Sequence, residues 1–231
     1  MTSQHDAPIL NAPAAVLWIV GIAVAVHVLR MLLPAPFDQW VIETFAFFPA
    51  RYQAPVGSPS DLLAMIASPV GHLFLHADWM HLTMNMAFFL AFGSAIGRRM
   101  GALQLVILYL LCGIAGTFFW AYLNPPSQAI LLGASGAISG MVGAVARVSI
   151  WPPHHAGSAL PFWRRSTIIT FVVVWLLLNV VFGIFPIMVS DGYAGIAWEA
   201  HLGGFIAGFL LISAFDGRGR IETIAPPFGL R

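Results

Sequence analysis

The 231-residue chain has no lysine, one cysteine and few charges: 8% Asp, Glu, Lys and Arg, against roughly 25% in an average soluble domain. With 59% hydrophobic residues, that scarcity excludes a soluble globular protein. It also excludes intrinsic disorder, whose signature is few apolar residues and high net charge. A formal charge of +1 offers no electrostatic footprint for nucleic acid or an acidic partner. Cys112 cannot form an intrachain disulfide, and its apolar neighbours point to ordinary packing. Arginine without lysine is the usage of a GC-rich bacterial genome, so a bacterial plasma membrane is the expected location, with an organelle membrane as the alternative.

Apolar mass is concentrated in six stretches: Ala14–Leu33, Trp79–Gly97, Leu103–Leu123, Ser135–Ile150, Thr167–Val189 and Trp198–Phe215. Each approaches the ~20 residues that cross a ~30 Å hydrocarbon layer as a helix. The sequence therefore predicts an all-α, six-span membrane bundle over residues 14–215, with short tails at 1–13 and 216–231. The first run is too long for a signal-peptide core and is read as a retained span. Arg98, Arg99, Arg147, Arg164, Arg165, Arg218, Arg220 and Arg231 fall on one side of such a bundle, which makes that side, and both termini, cytoplasmic. Arg30, near the outer end of the first span, is expected to snorkel to the interface. The long connection over residues 34–78, rich in aromatics and proline, is expected to lie partly in the membrane surface.

Polar groups inside a bilayer are costly and call for a reason. His81 and Asn85, four residues apart, share a helix face. Ser135 opens the fourth span in Gly133-Ala134-Ser135-Gly136, and His201 lies one turn into the sixth. Counting 1.5 Å per residue from the cytoplasmic charges, Ser135 lies about 18 Å from Arg147, Asn85 about 20 Å from Arg98, and His201 about 22 Å from Asp216. Three helices thus present polar groups at one level, roughly 10 Å beneath the outer surface of a ~30 Å core. The fourth helix is too short to span, so the loop before Ser135 must dip into the protein, where it is tolerated only if packed or lining a wet cavity. Gly136, Gly140 and Gly143 form a stripe beside Ser135, while Gly204 and Gly208 share the His201 face, a spacing that lets two backbones approach closely.

These residues fit acyl transfer: His201 deprotonates Ser135 and returns the proton to a leaving amine. The Ser135 backbone N–H with Asn85 and His81 would hold the oxyanion. No acid is placed to orient His201, so the reading is a Ser–His dyad. Each residue also has a plain structural explanation. Serine is a preferred N-cap, and a lone His or Asn often bonds a neighbouring helix; Asn179 in the fifth span is read as such a contact. Ser139 is a rival serine one turn deeper, where it would lack free backbone donors. His72 and His76 have zinc-compatible spacing with His81 nearby, but the helical zinc-protease motif is absent, so no metal or cofactor is expected.

The motifs Phe74-Leu75-His76-Ala77-Asp78-Trp79-Met80-His81-Leu82-Thr83-Met84-Asn85-Met86, Gly133-Ala134-Ser135-Gly136 with Gly140, and Ala200-His201 with Gly204 and Gly208 resemble the rhomboid family of intramembrane serine proteases in order, spacing and host helix. The resemblance implies a six-helix core, Ser135 as nucleophile, His201 as base, and His81, Asn85 and the Ser135 amide as oxyanion hole. It also implies single-pass transmembrane substrates within the lipid bilayer, a first connection in the outer leaflet, and a mobile cap at Ser190–Ala197. Two positions depart from the family: Ala67-Ser68 replaces a Trp-Arg pair, and Ser139 stands where some relatives stack an aromatic on the imidazole. Non-catalytic relatives that bind transmembrane helices typically lose the serine or histidine, and both are present here. A small transporter, with His81, His201 and Asn179 as its polar pathway, is the remaining class.

Overall fold

The computed structural model describes residues 12–53, 56–57, 59–125, 129–150, 162–184 and 197–215, and among them every regular element is helical. Helix α1 (Ala14–Leu32) ends where Pro34 forces Leu33 into extended backbone. Pro34 then serves as the N-cap of α2 (Ala35–Phe45), using the first-turn positions where a missing N–H costs nothing. This tight corner returns Asp38 to Arg30. The guanidinium bonds the Asp38 carboxylate at 2.7 Å and donates to the His76 carbonyl at 3.0 Å. Arg30 is 8% exposed, so it does not snorkel outward; it turns inward and ties α1 to the segment preceding the fourth helix.

Helix α3 (Pro59–Gly71) carries Pro69 in its interior. Proline has no N–H for the carbonyl four residues back, and the Tyr52 hydroxyl donates to that carbonyl, Met65 O, at 2.7 Å, with Ser68 Oγ at 3.1 Å. A 3-10 turn, His72–Phe74, leads to α4 (Trp79–Gly97), whose path includes a π turn at Phe89–Gly93. Then follow α5 (Ala102–Leu123), α6 (Ser135–Ile150), α7 (Phe162–Ile184) and α8 (Trp198–Phe215).

Helices therefore occupy all six expected positions, and α1, α4, α5 and α8 are long and apolar enough to cross a membrane. The fifth starts at Phe162 rather than Thr167, and residues 185–189 lie outside those described, as do residues 1–11 and 216–231 of the tails and residues 190–196 of the expected cap. Trp18, Leu32, Leu103 and Leu210 are each more than three-fifths exposed, an apolar outer surface suited to lipid rather than water. In the first connection Phe37, Trp40, Leu62, Leu63 and Ile66 are exposed as well. Leu73, Phe89, Leu105, Leu108, Met141 and Ile212 fill the interior. Helix α6 is buried on nearly every face, the pattern of a central helix.

Beyond the Arg30–Asp38 pair, the first connection is anchored by neutral hydrogen bonds. Phe47 and Leu131 form an antiparallel bridge at 3.0 and 2.9 Å, and the Gly133 N–H donates to the His72 carbonyl at 2.9 Å. The His72 ring joins Ser68 O at 2.8 Å through Nδ1 and Thr117 Oγ1 at 2.9 Å through Nε2. Outside the spans, burial pushes the His72 imidazole down to about 4. It is therefore neutral and donates from Nδ1 to the Ser68 carbonyl, while the Thr117 hydroxyl beside Nε2 also donates to the Gly113 carbonyl at 2.9 Å.

A depressed histidine pKa makes the folded state refuse a proton that the unfolded chain accepts, so stability is full above pH 6.5 and falls toward pH 4. At about 1.36 kcal/mol per unit, His72 alone removes about 2 kcal/mol between pH 7 and pH 5. Thermal inactivation in detergent should therefore accelerate over that range. His72→Gln should flatten the dependence without abolishing it, because burial and the neighbouring His81 push His76 down to about 3. An unchanged pH slope in the variant refutes the assignment.

Candidate active site

Helix α6 begins at Ser135 because of the two residues before it. Gly133 takes φ +115°, a left-handed backbone that non-glycine residues avoid. The Ala134 carbonyl accepts the Ile138 N–H at 3.0 Å, which makes Ser135 the first helical residue, with its N–H in the set that has no intrahelical acceptor.

The distance from α6 to α8 is set by backbone. A Cβ on Gly204 would overlap the Gly136 carbonyl oxygen, one on Gly208 the Gly140 carbonyl oxygen, and one on Gly143 the Phe205 carbonyl oxygen. Helix α5 approaches the same stretch, where a Cβ on Gly116 would overlap the Ala200 carbonyl oxygen. Ser135 is adjacent to Gly136, and His201 stands three residues before Gly204, so contact at the glycines carries both side chains to one place. Ser135 Oγ lies 2.7 Å from His201 Nε2; both residues are half-buried.

On the facing helix, the Asp78 carboxylate accepts the His81 N–H at 2.8 Å and caps α4. Asn85 Nδ2 donates to the His81 carbonyl at 3.0 Å. Both side chains converge on Gly133: a Cβ there would lie 2.7 Å from His81 Nε2 and 3.7 Å from Asn85 Nδ2. Gly133 is thus required twice, by its backbone angle and by the imidazole above it. The groups named from sequence, Ser135, His201, His81 and Asn85, meet around the start of α6.

The other sequence candidates are placed elsewhere. Ser139 Oγ donates to the Ser135 carbonyl at 2.6 Å. Glu199 accepts from Asn124 Nδ2 at 3.2 Å. His76 lies beside His81 with ring centroids 5.2 Å apart, while His72 is committed to Ser68 and Thr117. Cys112 is buried against Gly140. Asp191, His154 and His155 lie outside the described residues.

One contact differs from the expectation of a plain bundle residue. The side-chain oxygen of Asn179, on α7, bonds His201 Nδ1, while Asn179 Nδ2 donates to the Trp175 carbonyl at 2.7 Å. The Trp175 ring lies 6.3 Å from the imidazole, inclined 31°. The signal was present in the sequence: Asn179 lies fourteen residues after Arg165, about 21 Å along a helix, the same level as the other three polar positions.

A half-buried serine–imidazole pair at the meeting of glycine-lined helices defines a helical membrane protein with a built polar site. Residues 64–216 match the Rhomboid domain family, and the chain belongs to that family. It is 30% identical over 199 residues to Rhomboid-like protease 5 of Toxoplasma gondii, covering 83% of this chain and 22% of that protein. It is 31% identical over 142 residues to Rhomboid protease GluP of Bacillus subtilis, covering 62% and 24%. With RHOMBOID-like protein 5 of Arabidopsis thaliana the identity is 25% over 159 residues, covering 68% and 44%. The chain spans less than half the length of each of these relatives.

If backbone contact holds the pair together, Gly204→Ala and Gly208→Ala must push α8 away from α6. Overpacking costs about 1–3 kcal/mol, and a ~1 Å misplacement of a reacting group costs about 100-fold in rate. Both losses are expected in thermal melts and in labelling by a serine-reactive probe. Gly21→Ala, with nothing within 4 Å of the added Cβ, should be neutral or stabilise by up to about 1 kcal/mol. Equal behaviour of the three variants refutes the packing argument.

Proposed function

We propose that this chain is an intramembrane serine endopeptidase that hydrolyses peptide bonds in or near transmembrane segments through a Ser135–His201 dyad. The 2.7 Å separation of Ser135 Oγ and His201 Nε2 carries the reading, because a serine hydroxyl becomes a competent nucleophile only with a base in hydrogen-bond reach. His201 Nε2 takes the hydroxyl proton as Oγ attacks the peptide carbonyl. The same proton passes from Nε2 to the departing amine, leaving an acyl-enzyme. Water, deprotonated by His201, then attacks the ester and restores the serine.

The oxyanion of each tetrahedral intermediate is held by the Ser135 N–H at the helix start, His81 Nε2–H and Asn85 Nδ2–H, donors fixed before the reaction begins. The Asn85 amide is oriented by its bond to the His81 carbonyl. Single-pass membrane proteins are the substrate class that suits a site reached from the bilayer. A regular helix hides its carbonyls in internal hydrogen bonds, so the cleaved segment must unwind, and Gly, Pro or polar residues near the cut lower that cost. The arginines at 98, 99, 147, 164 and 165 support a cytoplasmic placement of the face opposite Ser135.

A fluorescent alkyl fluorophosphonate should label the wild-type protein in detergent, and labelling should vanish in Ser135→Ala and in His201→Ala while both variants still fold. Labelling that survives either change removes the dyad. Replacing the residues around the cut in a cleaved transmembrane segment by a Leu-rich, helix-forming run should abolish cleavage; unchanged cleavage removes the unwinding requirement.

A further inference from the structure

The imidazole of His201 has two ring nitrogens, and the proposed dyad uses one of them. A neutral imidazole carries a single N–H, so it accepts the Ser135 proton at Nε2 only when that hydrogen is on Nδ1. Whatever faces Nδ1 decides which tautomer is present. The atom there is the side-chain oxygen of Asn179.

An asparagine can present either end of its amide, and the hydrogen-bond network assigns which one. Asn179 Nδ2 donates at 2.7 Å to the Trp175 carbonyl, one turn back on α7. That carbonyl only accepts, so it requires the NH2 group and leaves the amide oxygen for the imidazole. The oxygen in turn only accepts, so it requires the hydrogen on Nδ1. The donor direction is fixed along the whole chain: Ser135 hydroxyl to His201 Nε2, His201 Nδ1–H to Asn179 oxygen, Asn179 NH2 to Trp175 carbonyl. Ser139, one turn beyond the nucleophile, turns its hydroxyl to the Ser135 carbonyl at 2.6 Å and leaves the orientation of the imidazole to α7. The Trp175 ring beside it adds a wall on the same side.

We propose that Asn179 is a positioning residue for the His201 base: its side-chain carbonyl takes the Nδ1 proton and leaves Nε2 bare toward Ser135. This rests on the Ser135–His201 reading. When Nε2 accepts the serine proton, the imidazolium keeps its Nδ1–H on the same oxygen, so no group has to turn during the reaction. The amide is neutral, so its part is orientation and choice of tautomer rather than charge balance.

The test uses the full chain in detergent and a fluorescent alkyl fluorophosphonate at several concentrations. Asn179→Leu keeps the volume and removes the acceptor. The maximal labelling rate should fall about 10- to 100-fold, a part of the ~10²–10⁴ that a positioned base contributes, with the half-saturating probe concentration unchanged. Asn179→Asp restores an oxygen at the same place and should recover most of the loss. In ¹⁵N-histidine spectra the His201 signals, identified by their disappearance in His201→Ala, should show hydrogen on Nδ1 in the wild type and a mixture of tautomers in Asn179→Leu.

Labelling that survives Ser135→Ala overturns the dyad and this proposal with it. Labelling that is lost in Ser135→Ala but unchanged in Asn179→Leu overturns the role of Asn179 alone. An Asp variant as slow as the Leu variant also overturns it, as does a wild-type spectrum with hydrogen on Nε2. If Asn179→Leu fails to fold, the Asp variant and the wild-type spectrum still decide.

Discussion

The contact of bare backbone on bare backbone between α6 and α8 sets the geometry of everything around it. In a bilayer, lipid tails are as apolar as leucine, so helices gain nothing by hiding oily side chains from the solvent and associate through close packing instead. A methyl group on Gly204 would overlap the Gly136 carbonyl and one on Gly208 the Gly140 carbonyl, which means the interhelical distance is set by main-chain atoms that cannot change rotamer. Ser135 is one residue from the first of these contacts and His201 three residues from its partner. Little chain remains over which an error could accumulate, and Ser135 Oγ comes to 2.7 Å from His201 Nε2.

Close packing also explains how irregular backbone is tolerated beside the helices. Inside a membrane an unsatisfied N–H or C=O costs several kcal/mol, and the loop leading to Ser135 is not helical. Leu131 meets Phe47 through both of its backbone groups, and the Gly133 N–H goes to the His72 carbonyl. The first connection supplies these partners because it is itself pinned, by Tyr52 on the carbonyl that Pro69 leaves open and by His72 on Thr117. Ser68, where some relatives carry an arginine, is fully buried and within hydrogen-bond distance of Tyr52. A polar side chain and a proline-freed carbonyl thus hold this part of the connection by neutral hydrogen bonding.

Helices and the level of the polar groups were legible in the sequence because both follow from local counting: apolar run length for the first, 1.5 Å per residue from the charges at the helix ends for the second. The glycine stripes were legible for the same reason, since a spacing of four residues names a helix face without knowledge of its neighbour. Arg30 was not. Its partner Asp38 lies beyond the corner at Pro34, and no helical register connects the two, so a long side chain near a helix end read as a snorkelling one. The Phe47–Leu131 bridge joins residues 84 positions apart in segments without strand-like alternation. Asn179 sat at the right depth, but a single amide on an otherwise apolar helix points to nothing in particular until the neighbouring helix is rotated into place.

That rotation gives the site its three-helix character. Helix α6 contributes the hydroxyl, α8 the imidazole, and α7 the carbonyl facing the second ring nitrogen. The first two are joined along glycine contacts and cannot shift independently. Among the described residues of α7 there is no such seam: Ile169, Val173, Leu177 and Val181 are exposed along it, and it meets α8 through side chains, Asn179 on His201 and Trp175 on Phe205 with ring centroids 6.1 Å apart. Side-chain contacts can be made and broken without tearing backbone from backbone. The distance between Ser135 and His201 is therefore the rigid part of the arrangement, and the orientation of the imidazole is the part that depends on how a less firmly seated helix lies. A site built this way holds the Ser135 hydroxyl and the His201 ring close together, while the alignment of the proposed base follows the position of α7.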